Sequence, residues 1–265
     1  MERIYLDYAA STPVHPDVLK VMEPYFSQKF GNPGSLHYFG QEALKGVDEA
    51  RDTISNIIGA ESHQIFFTGS ATEANNWALR GTLKKFLENH PATNKKPKII
   101  VSAFEHESIL ETAADLKKNG AEVEILKIKK DGFVDLAHLK SILDKQTILI
   151  SVMYVNNEIG SIQPIKKISE IIKNFKKSSG AHYPLFHTDA VQAFQFLDCN
   201  AEKLGVDLMS FSGQKIYGPK GIGCLYVKNR ALIAPFVTGG SQEMGLRGGT
   251  LNVPAIAGFC KAAEL

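Results

Sequence analysis

The chain has 265 residues, with 30 basic against 28 acidic side chains and three cysteines. The near balance of charge argues against a nucleic-acid surface, and the few cysteines, without a C-x-x-C spacing, argue against disulfides and zinc sites. The sequence begins without a basic-then-apolar signal and contains no apolar run of membrane length, so we expect a cytoplasmic protein with no membrane partner. A chain of this length can bury roughly three-quarters of its unfolded surface in one core.

Strand-like and helix-like segments alternate along the chain. The clearest helical pattern places Ile168, Ile171, Ile172 and Phe175 on one face, while the lysine-rich run at 84–98 is expected to be a solvated connection. The alternation predicts an α/β fold with a mainly parallel sheet flanked by helices, whose ligands bind beyond the carboxyl ends of the strands. The strand-like runs are IFF, KIIVSA, VEILKI, TILISVMYV, YPLFHTD, DLMSF and GIGCLYV.

A turn of small residues, TGSAT at 68–72, follows the first strand-like run and precedes a helical pattern. Free backbone N–H groups and the positive end of a helix dipole make such a turn a phosphate site. The same residues also fit a capping box, because Ser70 or Thr72 stands just before Glu73. Both interpretations remain open at this point.

An aspartate and a lysine follow later strand-like runs. Asp189 ends the run FHTD, and Lys215 lies 26 residues further on in a turn backed by Gly218 and Pro219. A lysine amine can form a Schiff base with pyridoxal phosphate (PLP), and a carboxylate can keep the pyridine nitrogen protonated. Taken alone, Asp189 could instead cap a helix, and Lys215 could be a solvated surface lysine.

Together, these segments resemble a known family, the cysteine desulfurases of the class V aminotransferase group of PLP enzymes. The resemblance covers essentially the whole chain and implies the aspartate aminotransferase-like large domain of a PLP-dependent transferase. The matching segments are YLDYAASTPVHP at 5–16, FGNPGSLH at 30–37, FTGSATEANN at 67–76, EHES at 105–108, VNNEIGSIQP at 155–164, HTDAVQ at 187–192, SGQKIYGPKGIG at 212–223 and GLRGGTLN at 245–252.

The resemblance also assigns roles to particular residues. It implies that Lys215 is the Schiff-base lysine, that Asp189 pairs with the pyridine nitrogen, and that His106 stacks on the ring and is a candidate for proton transfer. Gln214 departs from the histidine usual in the family, and its amide can donate a hydrogen bond but cannot become cationic. The other cofactor contacts implied are Asn157 and Gln192 near the ring, Ala71, Thr72 and Ser212 at the phosphate, and Thr250 at the phosphate of the neighbouring subunit.

The resemblance implies a domain division and a reaction. Residues 1–15 are expected to be an N-terminal arm, 16–255 the PLP-binding large domain, and 256–265 the start of a connection to a small domain that these residues do not include. The implied reaction removes sulfur from L-cysteine, leaving alanine and an enzyme persulfide. A homodimer and a sulfur-acceptor or iron–sulfur cluster-scaffold protein are the expected partners.

Two alternatives remain open. One is a selenocysteine lyase, which shares the chemistry; the other is a non-catalytic PLP-fold protein that binds a partner, should the natural chain end at Leu265. The family's small domain supplies the arginine for the substrate carboxylate and the sulfur-accepting cysteine, so we expect residues 1–265 alone to be inactive. We expect Cys199, Cys224 and Cys260 to be small apolar residues rather than sulfur carriers.

Overall fold

The computed structural model describes residues 3–91 and 95–265. Its α-helices are α1 (Pro16–Met22), α2 (Pro24–Ser27), α3 (Tyr38–Ile57), α4 (Ala71–Asn89), α5 (Glu107–Lys118), α6 (Leu136–Ile142), α7 (Ile165–Ser179), α8 (Ala201–Leu204) and α9 (Val253–Glu264). Its strands are β1 (Ile65–Thr68), β2 (Lys98–Ser102), β3 (Glu122–Leu126), β4 (Thr147–Ser151), β5 (Leu185–Asp189), β6 (Leu208–Ser212) and β7 (Gly223–Val227).

The strands form one sheet in the order β1-β7-β6-β5-β4-β2-β3. Neighbours from β3 through β6 pair in parallel, whereas β7 pairs antiparallel with both β6 and β1. Every strand-like run of the sequence contributes a strand, and the predicted mainly parallel α/β fold is confirmed. Parallel neighbours point their carboxyl ends to the same edge, so the loops that follow those strands meet there.

Helices cover both faces of the sheet. Successive side chains of a strand point to opposite faces, so neighbouring residues of one strand pack against different helices. On β2, Ile99 and Val101 belong to a buried cluster with Trp77 of α4, while Ile100 belongs to a second cluster with Phe259 of α9. Strands buried on both faces need apolar residues at almost every position, which explains the continuous apolar runs in the sequence.

The helical pattern predicted around residue 168 is part of α7, which buries Ile168 and Ile172 and ends at Gly180 in the left-handed conformation. The lysine-rich run at 84–98 is only partly a connection. Residues 84–89 belong to α4, and residues 92–94 lie outside the described part of the chain. In the described part no helix is long and apolar enough to cross a membrane.

The last helix crosses the domain boundary predicted between residues 255 and 256. Helix α9 begins after Asn252, whose side chain accepts the Ala255 N–H at 3.2 Å, and it packs on α1 and α3. It buries Ile256 and Phe259 in the same cluster as the large domain. The division of the chain into arm, large domain and connection stays a prediction, with most of residues 256–265 contributing to the core of this domain.

Candidate active site

A cavity of about 630 Å³ opens at the carboxyl edge of the sheet. Its walls come from the segments that follow β1, β2, β4, β5 and β6, together with residues of the N-terminal segment. Nine of the ten residues predicted to contact the cofactor line this cavity: Ala71, Thr72, His106, Asn157, Asp189, Gln192, Ser212, Gln214 and Lys215. Thr250 is exposed and does not line it.

The start of helix α4 forms one end of the cavity. The Ser70 hydroxyl accepts the Glu73 N–H at 3.1 Å and so caps the helix, but the Glu73 carboxylate accepts the N–H of Gly69, at 2.8 Å, rather than that of Ser70. The predicted capping box is therefore not reciprocal. In the described chain no acceptor is found for the N–H groups of Ala71 and Thr72, which remain available to a ligand.

Glycine at position 223 lets β7 pass directly against this helix start. A Cβ atom built on Gly223 would overlap the Ser70 carbonyl carbon and lie 2.7 Å from the Ala71 nitrogen. Any larger residue would have to displace the backbone that carries the free N–H groups. The strand thereby closes this end of the cavity, where Gly223 pairs with Ser212 at the end of β6.

Asp189 lies at the end of β5, at the floor of the cavity, and is 5% exposed. Burial raises the pKa of its carboxyl group. The Val191 N–H donates to Oδ1 at 3.0 Å and the Asn75 amide donates to Oδ2 at 2.7 Å, and both bonds favour the ionised form. The alternative of a helix cap does not apply, since a turn rather than a helix follows Asp189.

Lys215 lies in a tight turn after β6 and is half-buried rather than a solvated surface lysine. The Gly218 N–H closes the turn on the Gly213 carbonyl at 2.9 Å, and Tyr217 adopts φ 62°, a left-handed conformation that is strained for an aromatic residue. The Thr12 hydroxyl donates to the Gln214 carbonyl and accepts the Tyr217 N–H. The N-terminal segment therefore fastens the lysine turn.

The Lys215 amine faces both the N-terminal segment and the cavity. Its Nζ donates to the carbonyls of Ala9 at 2.7 Å and Ala10 at 2.6 Å. Burial lowers the pKa of the ammonium group, and the negative charges of Asp7 and Asp189 oppose that change. A lowered pKa increases the fraction of neutral amine, which is the form that reacts with an aldehyde.

His106 and Asn157 enter the cavity from two different turns. His106 caps α5, because its Nδ1 accepts the Ser108 N–H at 3.0 Å. Asn156 is buried and holds its own turn by accepting the N–H groups of Glu158 and Ile159, which leaves Asn157 to line the cavity. Of the two asparagines, one is thus structural and the other is available to a ligand.

The motifs did not single out Asn75 and Ser108, although both line the cavity. Asn75 donates to Asp189 and to Ser108, and Ser108 contacts His106. The sequence gave only a weak indication that Asn75 belongs to the site. Asn75 follows Ala71 by four residues and therefore lies on the same face of α4. The contacts themselves depend on the packing of α4 against α5 and β5.

A second carboxyl group, Glu105, is buried directly beside the cavity. Burial and the negative charge of Asp189 raise its pKa to about 8, against hydrogen bonds from the Ser102 hydroxyl and the Met153 N–H. Its Oε2 atom is buried and has no hydrogen-bond partner in the part of the chain that the structure describes. We therefore expect Glu105 to be protonated at neutral pH.

A glycine-rich loop, 239–252, is tied to helices α4 and α3 by two ion pairs. Arg247 lies near the 68–72 turn, and its guanidinium donates to the Glu73 carboxylate at 2.8 Å. Glu243 is 3% exposed, accepts the Phe67 N–H, and receives two hydrogen bonds from Arg51 at 2.7 and 3.0 Å. The loop presents Thr250 on its exposed side.

The cysteines lie away from the cavity. Cys199 and Cys224 are buried, and burial raises the pKa of each thiol to about 12, while Cys260 is partly buried in α9. These environments fit small apolar side chains. In residues 3–91 and 95–265 no group of three or more His, Cys, Asp or Glu side chains could hold a metal ion.

The fold agrees with the comparisons with known proteins. The family model described as aminotransferase class-V matches residues 4–265, and the chain belongs to this family. It is 45% identical over 262 residues to a protein of Dictyoglomus turgidum named "Cysteine desulfurase IscS", and 46% identical over 265 residues to one of the same name from Rickettsia bellii.

Two solved structures share this architecture closely. One is titled "NIFS-LIKE PROTEIN", with a TM-score of 0.92 and 38% identity, and the other "SspA in complex with cysteine", with a TM-score of 0.91 and 39% identity. Both cover 99% of this chain, which in turn spans 69% and 72% of theirs. The alignments with the two curated relatives include 99% of this chain but only 63% and 62% of the relatives' own lengths. The chain therefore spans less than two thirds of these relatives.

Proposed function

We propose that this chain is the cofactor-binding part of a PLP-dependent cysteine desulfurase. The observation that carries the proposal is the arrangement of Lys215, Asp189, His106 and the free N–H groups of Ala71 and Thr72 around one cavity. The named relatives agree with this activity, and one of the similar structures is described as a complex with cysteine. Its cytoplasmic location, homodimeric state and sulfur-accepting partner remain part of the proposal.

The side chains of the cavity fit PLP in charge and in position. The free N–H groups of Ala71 and Thr72 and the hydroxyl of Ser212 provide donors for phosphate oxygens at the start of α4. The buried Asp189 carboxylate, held by two donors, suits a cationic ring nitrogen. When bound, PLP supplies the electron-accepting ring that stabilises negative charge at the substrate α-carbon.

Each residue then has a defined task. Asp189, in its ionised form, favours the protonated state of a facing pyridine nitrogen. Lys215, whose pKa is lowered by burial, holds the cofactor and takes the substrate α-proton at Nζ. Asn157 and Gln192 would hold the ring by hydrogen bonds, and His106 would cover it and take part in proton transfer.

The experiment that tests the proposal is the identification of the lysine that holds the cofactor. The purified protein should show a visible absorption band that resists dialysis, and borohydride should fix the cofactor to the peptide containing Lys215. Lys215→Ala should lose the band, whereas Lys220→Ala, which changes an exposed lysine of the same turn, should keep it. A label on Lys220 would contradict the assignment.

Reactivity is tested by exchange of the α-proton of L-cysteine with solvent deuterium. This exchange depends on the cofactor and on Lys215, and it does not require sulfur transfer to a cysteine. In a protein of the length of the relatives, wild type and Lys220→Ala should exchange the proton, and Lys215→Ala should not. Equal exchange in all three proteins would exclude the proposed role of Lys215.

A further inference from the structure

We propose that Asn75 and Ser108 are positioning residues that join Asp189 to His106 by hydrogen bonds and keep the proton of the neutral His106 ring on Nε2. The inference rests on the proposed function, because Asp189 and His106 are the proposed contacts of the cofactor ring. The hydrogen bonds themselves lie entirely within this chain.

The geometry of Asn75 is the first step. The side chain is 1% exposed, and its Nδ2 donates to Asp189 Oδ2 at 2.7 Å and to Ser108 Oγ at 2.9 Å. An ionised carboxylate can only accept, so the NH₂ side of the amide must face Asp189, and both of its hydrogens are then used. Among the described residues the Oδ1 atom is buried without a partner, an unsatisfied group that stability alone does not explain.

The hydroxyl of Ser108 carries the link onward to the histidine. Because Ser108 Oγ accepts from Asn75, its own hydrogen can be donated to His106 Nδ1, 2.9 Å away. The backbone N–H of Ser108 points to the same nitrogen at 3.0 Å. Two donors directed at Nδ1 leave no room for a proton there, so the neutral ring carries its proton on Nε2.

This tautomer limits what His106 can do in the cavity. A neutral ring protonated at Nε2 offers an N–H donor at that atom and no lone pair. His106 can therefore donate a hydrogen bond through Nε2, but while neutral it cannot accept a proton there, and releasing its own proton would leave an imidazolate anion. Proton removal from substrate is thereby left to the Lys215 amine.

The neighbouring asparagine provides a matched control. Asn76 donates to the Thr72 carbonyl at 3.0 Å and accepts from Arg80 Nε at 3.0 Å, so its amide bonds only to residues of α4. The two asparagines have the same side chain and adjacent positions on one helix. Only Asn75 reaches β5 and α5, where Asp189 and Ser108 lie.

The tautomer is measured by ¹⁵N NMR of protein labelled at its eight histidines, with and without PLP. The His106 signals are assigned by their loss in His106→Gln. We expect the proton on Nε2 and an unprotonated, hydrogen-bonded Nδ1. A ring protonated on Nδ1, or a mixture of both tautomers, would overturn the proposal.

Variants test the link itself. Ser108→Ala should move the Nδ1 signal downfield, because one hydrogen bond to that nitrogen is lost, while Asn76→Leu should leave it unchanged. Asn75→Leu should weaken PLP binding by about tenfold or more, since Asp189 loses a charge-assisted hydrogen bond, against less than about twofold for Asn76→Leu.

The outcomes separate this inference from the proposed function. If wild-type protein binds no PLP, the proposed function is wrong, and the ring-nitrogen signals of the cofactor-free protein still decide the network. If Asn75→Leu does not fold, the His106 Nδ1 signal of Ser108→Ala decides whether the hydrogen-bond link exists. Unchanged Nδ1 signals in Ser108→Ala, or unchanged PLP affinity in a folded Asn75→Leu, would overturn the link from Asp189 to His106.

Discussion

Replacing Glu105 with glutamine should change how the stability of this protein depends on pH. Burial raises the pKa of Glu105 from its ordinary value of 4.5 to about 8. Between these values the unfolded chain has released the carboxyl proton, whereas the folded protein still binds it. The free energy of unfolding contributed by this group therefore falls as the pH rises from about 4.5 to about 8.

The pKa difference sets the size of the effect. At about 1.4 kcal/mol per pH unit, it gives an upper limit of about 5 kcal/mol over the whole window. Glutamine has no proton to release in this range and can still accept from the Ser102 hydroxyl and the Met153 N–H through its carbonyl oxygen. The stability of Glu105→Gln relative to wild type should thus increase with pH by a few kcal/mol.

The assay is urea unfolding of wild-type protein and Glu105→Gln at several pH values between about 5 and about 8, without and with PLP. Glu111→Gln is the matched control, because Glu111 is an exposed carboxyl group on the neighbouring helix. The stability difference between wild type and this control should stay nearly constant with pH. Parallel pH profiles for wild type and Glu105→Gln would show that Glu105 is already ionised in the folded protein and would refute the reasoning.

Three further predictions follow from the site and its surroundings. In a protein of the length of the relatives, Asp189→Asn should leave the far-ultraviolet circular dichroism unchanged but strongly reduce α-proton exchange, because a neutral amide does not favour a protonated ring nitrogen; full exchange would count against this role. Arg51→Met should lower the free energy of unfolding by about 3–5 kcal/mol in urea, because it leaves Glu243 buried and unpaired, and a loss below about 1 kcal/mol would contradict this. If Thr250 reaches a neighbouring subunit, mixing Lys215→Ala with Thr250→Ala in a protein of the length of the relatives should restore one intact site per mixed dimer. Activity unchanged after proven subunit exchange would exclude a crossing loop.

Local sequence patterns were enough to predict the strands of this fold and helix α7. Runs rich in apolar residues predicted all seven strands. Six of them are buried at every position, as strands covered on both faces must be, whereas β3 lies at a sheet edge and is only partly buried. The rule that ligands bind at the carboxyl ends of parallel strands predicted that Thr72, Asp189 and Lys215 would meet. These features depend on the period and order of residues along the chain, which the sequence displays directly.

Tertiary packing decided the features that depend on distant parts of the chain. The sequence did not show that β7 lies antiparallel between β1 and β6, nor that Gly223 would lie against Ser70, because strand pairing brings together residues far apart in sequence. The buried hydrogen bonds from Asn75 to Asp189 and Ser108 also depend on tertiary packing. The sequence does not show whether an asparagine in a helix faces solvent or a buried partner. The sequence by itself therefore determined which groups reach the cavity edge, and the packing of helices on the sheet decided how those groups are held and protonated.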